Sequence, residues 1–416
     1  MSFPSSTAQV DRAARAWIWR VAEESAYGNG TGTYEGCRFL DNDEPESSQE
    51  EVENMGQSEY LADYFNPVLG LRSWKHKARF HPAPATSQYL AAATPADDFQ
   101  SLLFKAAFGG QQRGAGSTVE ASPSPTTTAF TVATGHGSRF AAGQVILVQT
   151  SAGLEPTVVA SIATDAITVA WALSAAPAAG NVVVNTTTNF FSQSAPTSLA
   201  LRGVHATDTN HQWQLNGAIV NELTWKIDRS GLLECTLGLE GSVHSGPDAL
   251  SLSTTAVTDE VIAPIHTRGA YLYLFEAASP NRTALPFHSI EIKHTLGNQL
   301  VNQIGGSTEG VTGTAKAGER MIVEATITTR SDRWPHYMQQ SRPDMVLALH
   351  MPNGLTGTAA RSCTLVLTGA VGVSVPQTAE EEKLRKTKFT LKGKRNALIA
   401  GGSTDLLRSP ILWARG

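Results

Sequence analysis

Two stretches of the 416-residue chain, roughly 90 residues apart, echo one another, and a duplicated β-unit restricts the fold more than any other feature. One runs from Ser198-Leu199-Ala200-Leu201-Arg202 to Leu232-Leu233-Glu234-Cys235-Thr236-Leu237. The other runs from Ser289-Ile290-Glu291-Ile292-Lys293 to Ile322-Val323-Glu324-Ala325-Thr326-Ile327. Each joins a Ser-apolar-x-apolar-basic strand to a later apolar-apolar-Glu-x-Thr-apolar strand. Duplicated β-units are commonly placed around an axis, so geometry comes before catalysis.

Composition agrees with a β-rich reading. Charged residues make up only 17% of the chain, below the usual quarter, while Gly, Ser, Thr, Ala and Val abound. The net charge of −5 does not suit a protein built to grip a phosphate backbone. Cys37, Cys235 and Cys363 are few, odd in number and far apart, which favours reduced thiols over a disulfide scaffold. Asp11, Arg12 and Arg15 stand where a signal peptide needs an apolar core, and no run reaches membrane-spanning length. A soluble product of a cytosolic folding environment is expected, with no membrane contact.

Along the chain, Ala16 to Val21 reads as an aromatic strand. The acidic stretch 41–59 follows, with Asp41, Asp43, Glu44, Glu46, Glu50, Glu51, Glu53 and Glu59 and no Lys or Arg among them. Leu69 to Phe80 alternates apolar and basic residues, as a strand with one wet face does. Pro95-Ala96-Asp97-Asp98 opens a helix carrying Phe99, Leu102, Leu103, Phe104, Ala106 and Ala107, and Gly109-Gly110 ends it. A second helix is expected after Ser331-Asp332. Residues 113–192 look foreign: short strands with Gly, Asp or Asn at the turns and almost no charge beyond Arg139, Glu155 and Asp165. They read as an inserted small β-barrel or sandwich that projects outward. The expected division is therefore 1–112 with 193–262, the insert 113–192, and 263–416.

Together these features resemble the tail tube proteins of long-tailed bacteriophages. The residues that carry the likeness are Trp17 to Gly28, the Phe99 to Gly109 helix, Gly217 to Gly241, Ser289 to Gly306, Gly318 to Thr329 and Lys386 to Gly393. The resemblance implies β-sandwich units, each with a flanking helix, whose inner sheets join those of neighbours into one barrel around a channel. Most members form hexameric rings, and members with two fused units form trimeric rings; the echo places this chain nearer the second kind, with a hexamer in which 198–393 is a single elaborated domain as the alternative. Partners implied are further copies of itself, the tape measure, terminator and distal tail proteins, and DNA passing without specific binding. The location implied is the virion tail, assembled in the host cytoplasm.

In Leu232 to Glu240, alternate residues divide into an apolar set and a set of Glu, Thr and Gly. An ordinary sheet with a solvent face explains this; given the repeat, a channel wall is favoured. It would bear Glu222, Asp228, Glu234, Thr236, Glu324, Thr326 and Thr328, with carboxylates repelling phosphate and Lys226 partly offsetting them. The acidic Asp41, Asp43, Glu44, Glu50, Glu51 and Glu53 and the basic run Lys383, Arg385, Lys386, Lys388, Lys392, Lys394 and Arg395 are opposite in sign. Solvated patches, or nucleic-acid contact by the basic run, are two readings. The third is that the acidic loop of one ring docks on the basic run of the next.

Catalytic signatures are weak. His205, Asp208 and His211 lack the helical spacing that converges metal ligands, and Gly313 to Gly318 lacks the order of a phosphate loop. Gly305-Gly306-Ser307 and Gly135-His136-Gly137-Ser138 do not match a nucleophile elbow, and Trp334 to Tyr337 reads as a helix start. No cofactor, metal or catalytic residue is expected. A glycan- or receptor-binding adhesin using the insert is the second function class, and a β-rich glycosidase the third.

Overall fold

A computed structural model describes residues 17–37, 39–40, 45–49, 72–84, 98–205, 212–227, 231–248, 269–302, 311–316, 322–329, 341, 343–353, 360–372, 377–381, 384–399 and 402–416. The chain is mainly β. Its first half holds β1 (Trp17–Glu23), β2 (Glu35–Cys37), β3 (Glu46–Gln49), β4 (Arg72–Phe80), α1 (Phe99–Phe108) and β5 (Gly109–Gln112). The insert follows, with β6 (Ser117–Thr118), β7 (Ala129–Thr131), β8 (Val145–Thr150), β9 (Gly153–Ala163), β10 (Ala166–Val169) and β11 (Val182–Asn185). The first half resumes with β12 (Thr187–Phe191), β13 (Leu199–His205), β14 (Gln212–Ile227), β15 (Leu233–Gly241) and β16 (Val243–Asp248).

The second half opens with β17 (Tyr271–Glu276), β18 (Ser279–Ala284), β19 (Phe287–Thr295), β20 (Asn298–Asn302), β21 (Val311–Lys316) and β22 (Ile322–Thr329). It ends with β23 (Met345–Pro352), β24 (Ser362–Gly372), β25 (Gln377–Glu381), β26 (Leu384–Gly393), α2 (Asp405–Arg408) and β27 (Ile411–Arg415).

Pairing resolves this list into layers. An inner sheet of eight antiparallel strands runs β3-β4-β15-β14-β19-β22-β26-β25. Over it lie two outer sheets, β2-β1-β13-β14-β16 and β18-β17-β23-β24-β27. Each half thus repeats one plan. The inner strands β3-β4-β15-β14 match β19-β22-β26-β25 in order and direction, and the two outer sheets match strand for strand. In both halves the chain passes from the outer sheet into the inner one, within β14 and from β24 to β25.

The topological repeat is not the one the sequence echo suggests. The echo sets β13 beside β19 and β15 beside β22, whereas the plan equates β13 with β23, β15 with β26, and β4 with β22. β15 and β22 resemble one another because both are inner strands with a dry face filled by apolar groups and a wet face of Glu, Thr and Lys, whereas β13, an outer strand, shares with β19 only a short residue pattern.

The halves are not separable bodies. β27 lies between β24 and β12, and β12 pairs on to β5, so one outer sheet takes strands from both. α1 is sandwiched between layers, with Phe104 5.3 Å from the Trp413 ring and Phe108 6.0 Å from Trp225. The Asp98 side chain caps its N-terminus by accepting the Ser101 N–H at 2.7 Å. Gly109 closes it at φ 82°, a conformation that favours glycine. Burial pushes the Asp98 carboxyl up, but the Arg415 guanidinium and the Ser101 bonds outweigh it and hold the group at about 2. Arg415, itself buried, also donates to Ala83 O at 2.9 Å, so the last strand is tied to the first half's helix. The helix expected at Ser331 lies outside the described residues.

The insert is a six-stranded sheet, β6-β11-β8-β9-β10-β7, closed into a small barrel by the Val119–Val132 bridge. Its own strands end at Asn185; β12, expected within it, belongs to the outer sheet. It is also docked on the second half. Val145, Val158 and Trp171 of the insert pack with Phe275, Val346, Ala348, Val366 and Leu412 on the outer sheet of the second half. Trp171 meets Phe275 edge to face at 5.5 Å. Beside it the largely buried Glu155 accepts from Thr150, Ser174 and Arg282. Replacing Trp171 with Ala is expected to cost about 3–5 kcal/mol in urea titration and to speed amide exchange in β17 and β23. A loss below about 1 kcal/mol would mean the barrel only rests on the sheet.

Candidate functional site

The inner sheet has one dry face and one wet face, and the strand pattern imposes both. Trp74, Ala78 and Phe80 on β4, Cys235, Leu237 and Leu239 on β15, and Leu223, Trp225 and Ile227 on β14 are buried in the main core. Ile290 and Ile292 on β19, Val323, Ala325 and Ile327 on β22, and Phe389 and Leu391 on β26 join the same core. The intervening residues point the other way.

Across the sheet, one row of the wet face runs Arg79, Thr236, Thr224, Lys293, Glu324, Lys392. The next row runs Glu234, Lys226, Glu291, Thr326, Thr390. Charges alternate from strand to strand: Lys226 lies between Glu234 and Glu291, and Glu324 between Lys293 and Lys392. Ion pairs link Arg79 to Glu234 at 3.5 Å, Lys293 to Glu291 at 3.5 Å and Lys392 to Glu324 at 4.0 Å. Such exposed pairs contribute at most about 1 kcal/mol each, so they set register and surface potential more than stability.

Of the residues expected on a channel wall, Glu222, Glu234, Thr236, Glu324, Thr326 and Thr328 all share this wet face, and Asp228 lies outside the described residues. Among the described residues this face is mixed in sign and not acidic. Among them Lys75, Lys77, Arg79, Lys226, Lys293, Lys388 and Lys392 stand with Glu46, Glu222, Glu234, Glu240, Glu291 and Glu324 on it. β4 supplies Lys75, Lys77 and Arg79, because it pairs with β15 and turns its basic residues to the same side. The alternation in Leu69 to Phe80 carried that signal; what it lacked was the identity of the neighbouring strand.

The basic run expected to receive a neighbouring ring is also corrected. Lys386 is fully buried, and Lys388 and Lys392 stand on the wet face opposite Thr328 and Glu324. They form no separate strip. Lys383, the Arg385 side chain, and Asp41, Asp43, Glu44, Glu50, Glu51 and Glu53 lie outside the described residues.

Among the described residues, β3 pairs only with β4, and β25 only with β26, so the inner sheet has two open edges. The joint in its middle shows how such edges meet. There β14 and β19 pair antiparallel from Glu222–Thr295 to Ile227–Ile290. Because the two halves run in the same sense, β25 corresponds to the inner part of β14, and β3 to β19.

Other candidates dissolve. His205 is buried against the Trp17 ring at 5.4 Å, while Asp208, His211 and Trp334 to Tyr337 lie outside the described residues. Among the described residues no group of His, Cys, Asp and Glu is placed to hold a metal ion. No described helix is long and apolar enough to cross a membrane. Cys235 and Cys363 are buried and unbridged, and burial pushes the Cys363 thiol up to about 12.

Three of the buried imidazoles, His76, His294 and His350, hold a proton weakly. Burial pushes His76 and His350 down to about 4, and burial together with the Lys316 charge pushes His294 down to about 3. His294 faces Leu223 at the central joint, and His76 packs on Trp19 at 4.7 Å. All three bind a proton more weakly folded than unfolded, where the value is about 6.5. Their contribution is therefore complete above about pH 6.5 and is lost as pH falls towards the folded values. Urea melts at pH 7.5, 6.0 and 5.0 should show a slope of up to about 4 kcal/mol per pH unit from these groups, reduced by His294→Gln. A flat profile across that window would contradict the assignment.

No protein-family model matches the chain, and no curated protein matches it.

Proposed function

We propose that this chain is a structural tail tube protein of a long-tailed bacteriophage, closing into trimeric rings that stack around a channel for DNA. The observation that supports this most is the β14–β19 joint. Two units of one plan, running in one sense, are joined edge to edge inside a single sheet, and the two outer edges are the same pair of strand types. Repeating that joint between copies sets β25 of one against β3 of the next. This is a heterologous contact, and such contacts make rings when the rotation closes.

The dimensions agree with three chains. Three eight-stranded sheets give a barrel of roughly 24 strands, which at ~4.8 Å spacing and ~40° tilt is about 48 Å across. Side chains on the inner face reduce the bore by roughly 10 Å, which leaves room for a duplex. Six chains would double the circumference. Closure also removes two open strand edges that otherwise invite uncontrolled association.

The wet face would then line the bore. Its alternating Lys and Glu neutralise each other over less than a Debye length of about 10 Å, so a passing phosphate backbone meets no continuous cationic track. The insert, docked on the outer sheet, would face away from the bore. Tape measure, terminator and distal tail proteins are the further partners of this reading, and the virion tail is its location.

Native mass measurement and electron microscopy of the purified protein test it. The expected particle is a ring of three 44.2 kDa chains with pseudo-six-fold symmetry and a central hole, stacking into tubes. A monomer at micromolar concentration, or a dimer with a two-fold axis, would rule it out.

A further inference from the structure

In the first half of the chain, the corner at Val220 and Asn221, where β14 passes from the outer sheet to the inner one, is covered by the excursion between β19 and β22, which contains the β20–β21 hairpin. Leu296 N–H donates to Asn221 O at 3.0 Å, Asn298 Nδ2 to Val220 O at 2.6 Å, and the Thr314 hydroxyl to Pro196 O at 2.8 Å. Lys316 Nζ lies 4.8 Å over the Phe191 ring. The surface that receives this hairpin is made of neutral acceptors.

The matching place in the second half has different chemistry. Val371 and Gly372 pair with the end of β26 as Ile219 and Val220 pair with the end of β15. Beside them Lys394 pairs with Asp344, just before β23. Arg395 and Arg408 both donate to Gly402 O, at 3.4 and 3.3 Å, and remain exposed. With Lys394 they rim a cleft of about 410 Å³ whose lining includes Phe191 and Pro410. Its one acid, Asp405, is engaged by the Ser192 hydroxyl at 2.8 Å and Gln193 N–H at 3.0 Å. Three cations against Asp405 and the Asp344 that pairs with Lys394 leave the rim with a net positive charge.

The repeat also identifies an occupant. The β19–β22 excursion corresponds to the β3–β4 connection, residues 50–71, which carries Glu50, Glu51, Glu53, Glu59 and Asp63 and no Lys or Arg. Within one chain β3 is six strand spacings from β26, about 29 Å. In the next copy, with its β3 against β25, the same connection starts two spacings away, about 10 Å, at the same end of the sheet as Gly393.

We propose that residues 50–71 of one copy dock through their carboxylates on the Lys394–Arg395–Arg408 cleft of its neighbour in the same ring. This contact does between chains what the β20–β21 hairpin does within one, and it rests on the ring reading above. It makes the cleft an acidic-peptide site that a lone chain leaves incomplete, and it assigns the acidic stretch to a contact within the ring.

Charge reversal tests it in the full-length protein. Arg395→Glu with Arg408→Glu should raise the ring dissociation constant about tenfold at low salt, and Glu50→Lys with Glu51→Lys and Glu53→Lys should do the same. Combining the two sets should restore wild-type affinity, while circular dichroism checks that each variant folds. Carbodiimide treatment of wild-type rings should couple Lys394 to Glu50, Glu51 or Glu53 of another chain. Rings that form normally with either set reversed, or a combination no better than its parts, would overturn the clasp and leave the ring standing. Wild-type protein that forms no ring would overturn both.

Discussion

The antiparallel joint between β14 and β19 organises the whole molecule. It fuses two units of like topology into one inner sheet, and its register fixes which side chains are wet. Trp225 and Ile292 face the core while Lys226 and Glu291 face away. A slip of one residue would expose the former pair and bury the latter, so the register is strongly specified. The same joint sets the sense of the repeat. Both units run the same way along the sheet, so the molecule ends in two different edges and not in a self-complementary pair.

Buried polar anchors hold the other layers to that sheet. Glu24 accepts the N–H groups of Gly28 at 2.9 Å, Gly30 at 3.1 Å and Gly217 at 3.1 Å. It thereby fixes the corner where β14 leaves the outer sheet for the inner one. Gly217 sits there at φ 67°, and a Cβ would meet the Tyr27 ring at 2.6 Å. Asp98 with Arg415 ties the last strand to the first helix, and Glu155 with Arg282 ties the insert to the second half. Removing one member of a buried pair strands the other charge, so these contacts bind elements distant in sequence into one body.

Much of the local structure was legible because local rules wrote it. Asp98 and Gly109 bound α1 as a cap and a left-handed stop, and the alternation in Leu233 to Gly241 and in Leu69 to Phe80 announced strands with one dry face. The strand spacing and low charge of residues 113–192 announced a separate β-unit. What sequence left open was adjacency. The echo paired β15 with β22, which share an environment and not a place, because Glu and Thr recur wherever an inner strand turns to water, and it paired outer β13 with inner β19 on a short pattern alone. Nothing local marked Trp171 as the insert's docking group, Lys386 as buried, or Lys75, Lys77 and Arg79 as neighbours of the Glu234 face.

If the β14–β19 joint is reused between chains, a cross-link in the corresponding register will capture it. Thr224 faces Lys293 at the joint, and the repeat equates these with Gln377 and Glu46. Cysteines at Glu46 and Gln377 of neighbouring copies should lie within the roughly 4.4–6.8 Å Cα separation that a disulfide spans. Mild oxidation of the Glu46→Cys, Gln377→Cys protein should yield a covalently closed trimer, and neither single variant should. A double variant that stays monomeric on denaturing gels, or that links equally well when either cysteine is moved by one residue, would contradict the account.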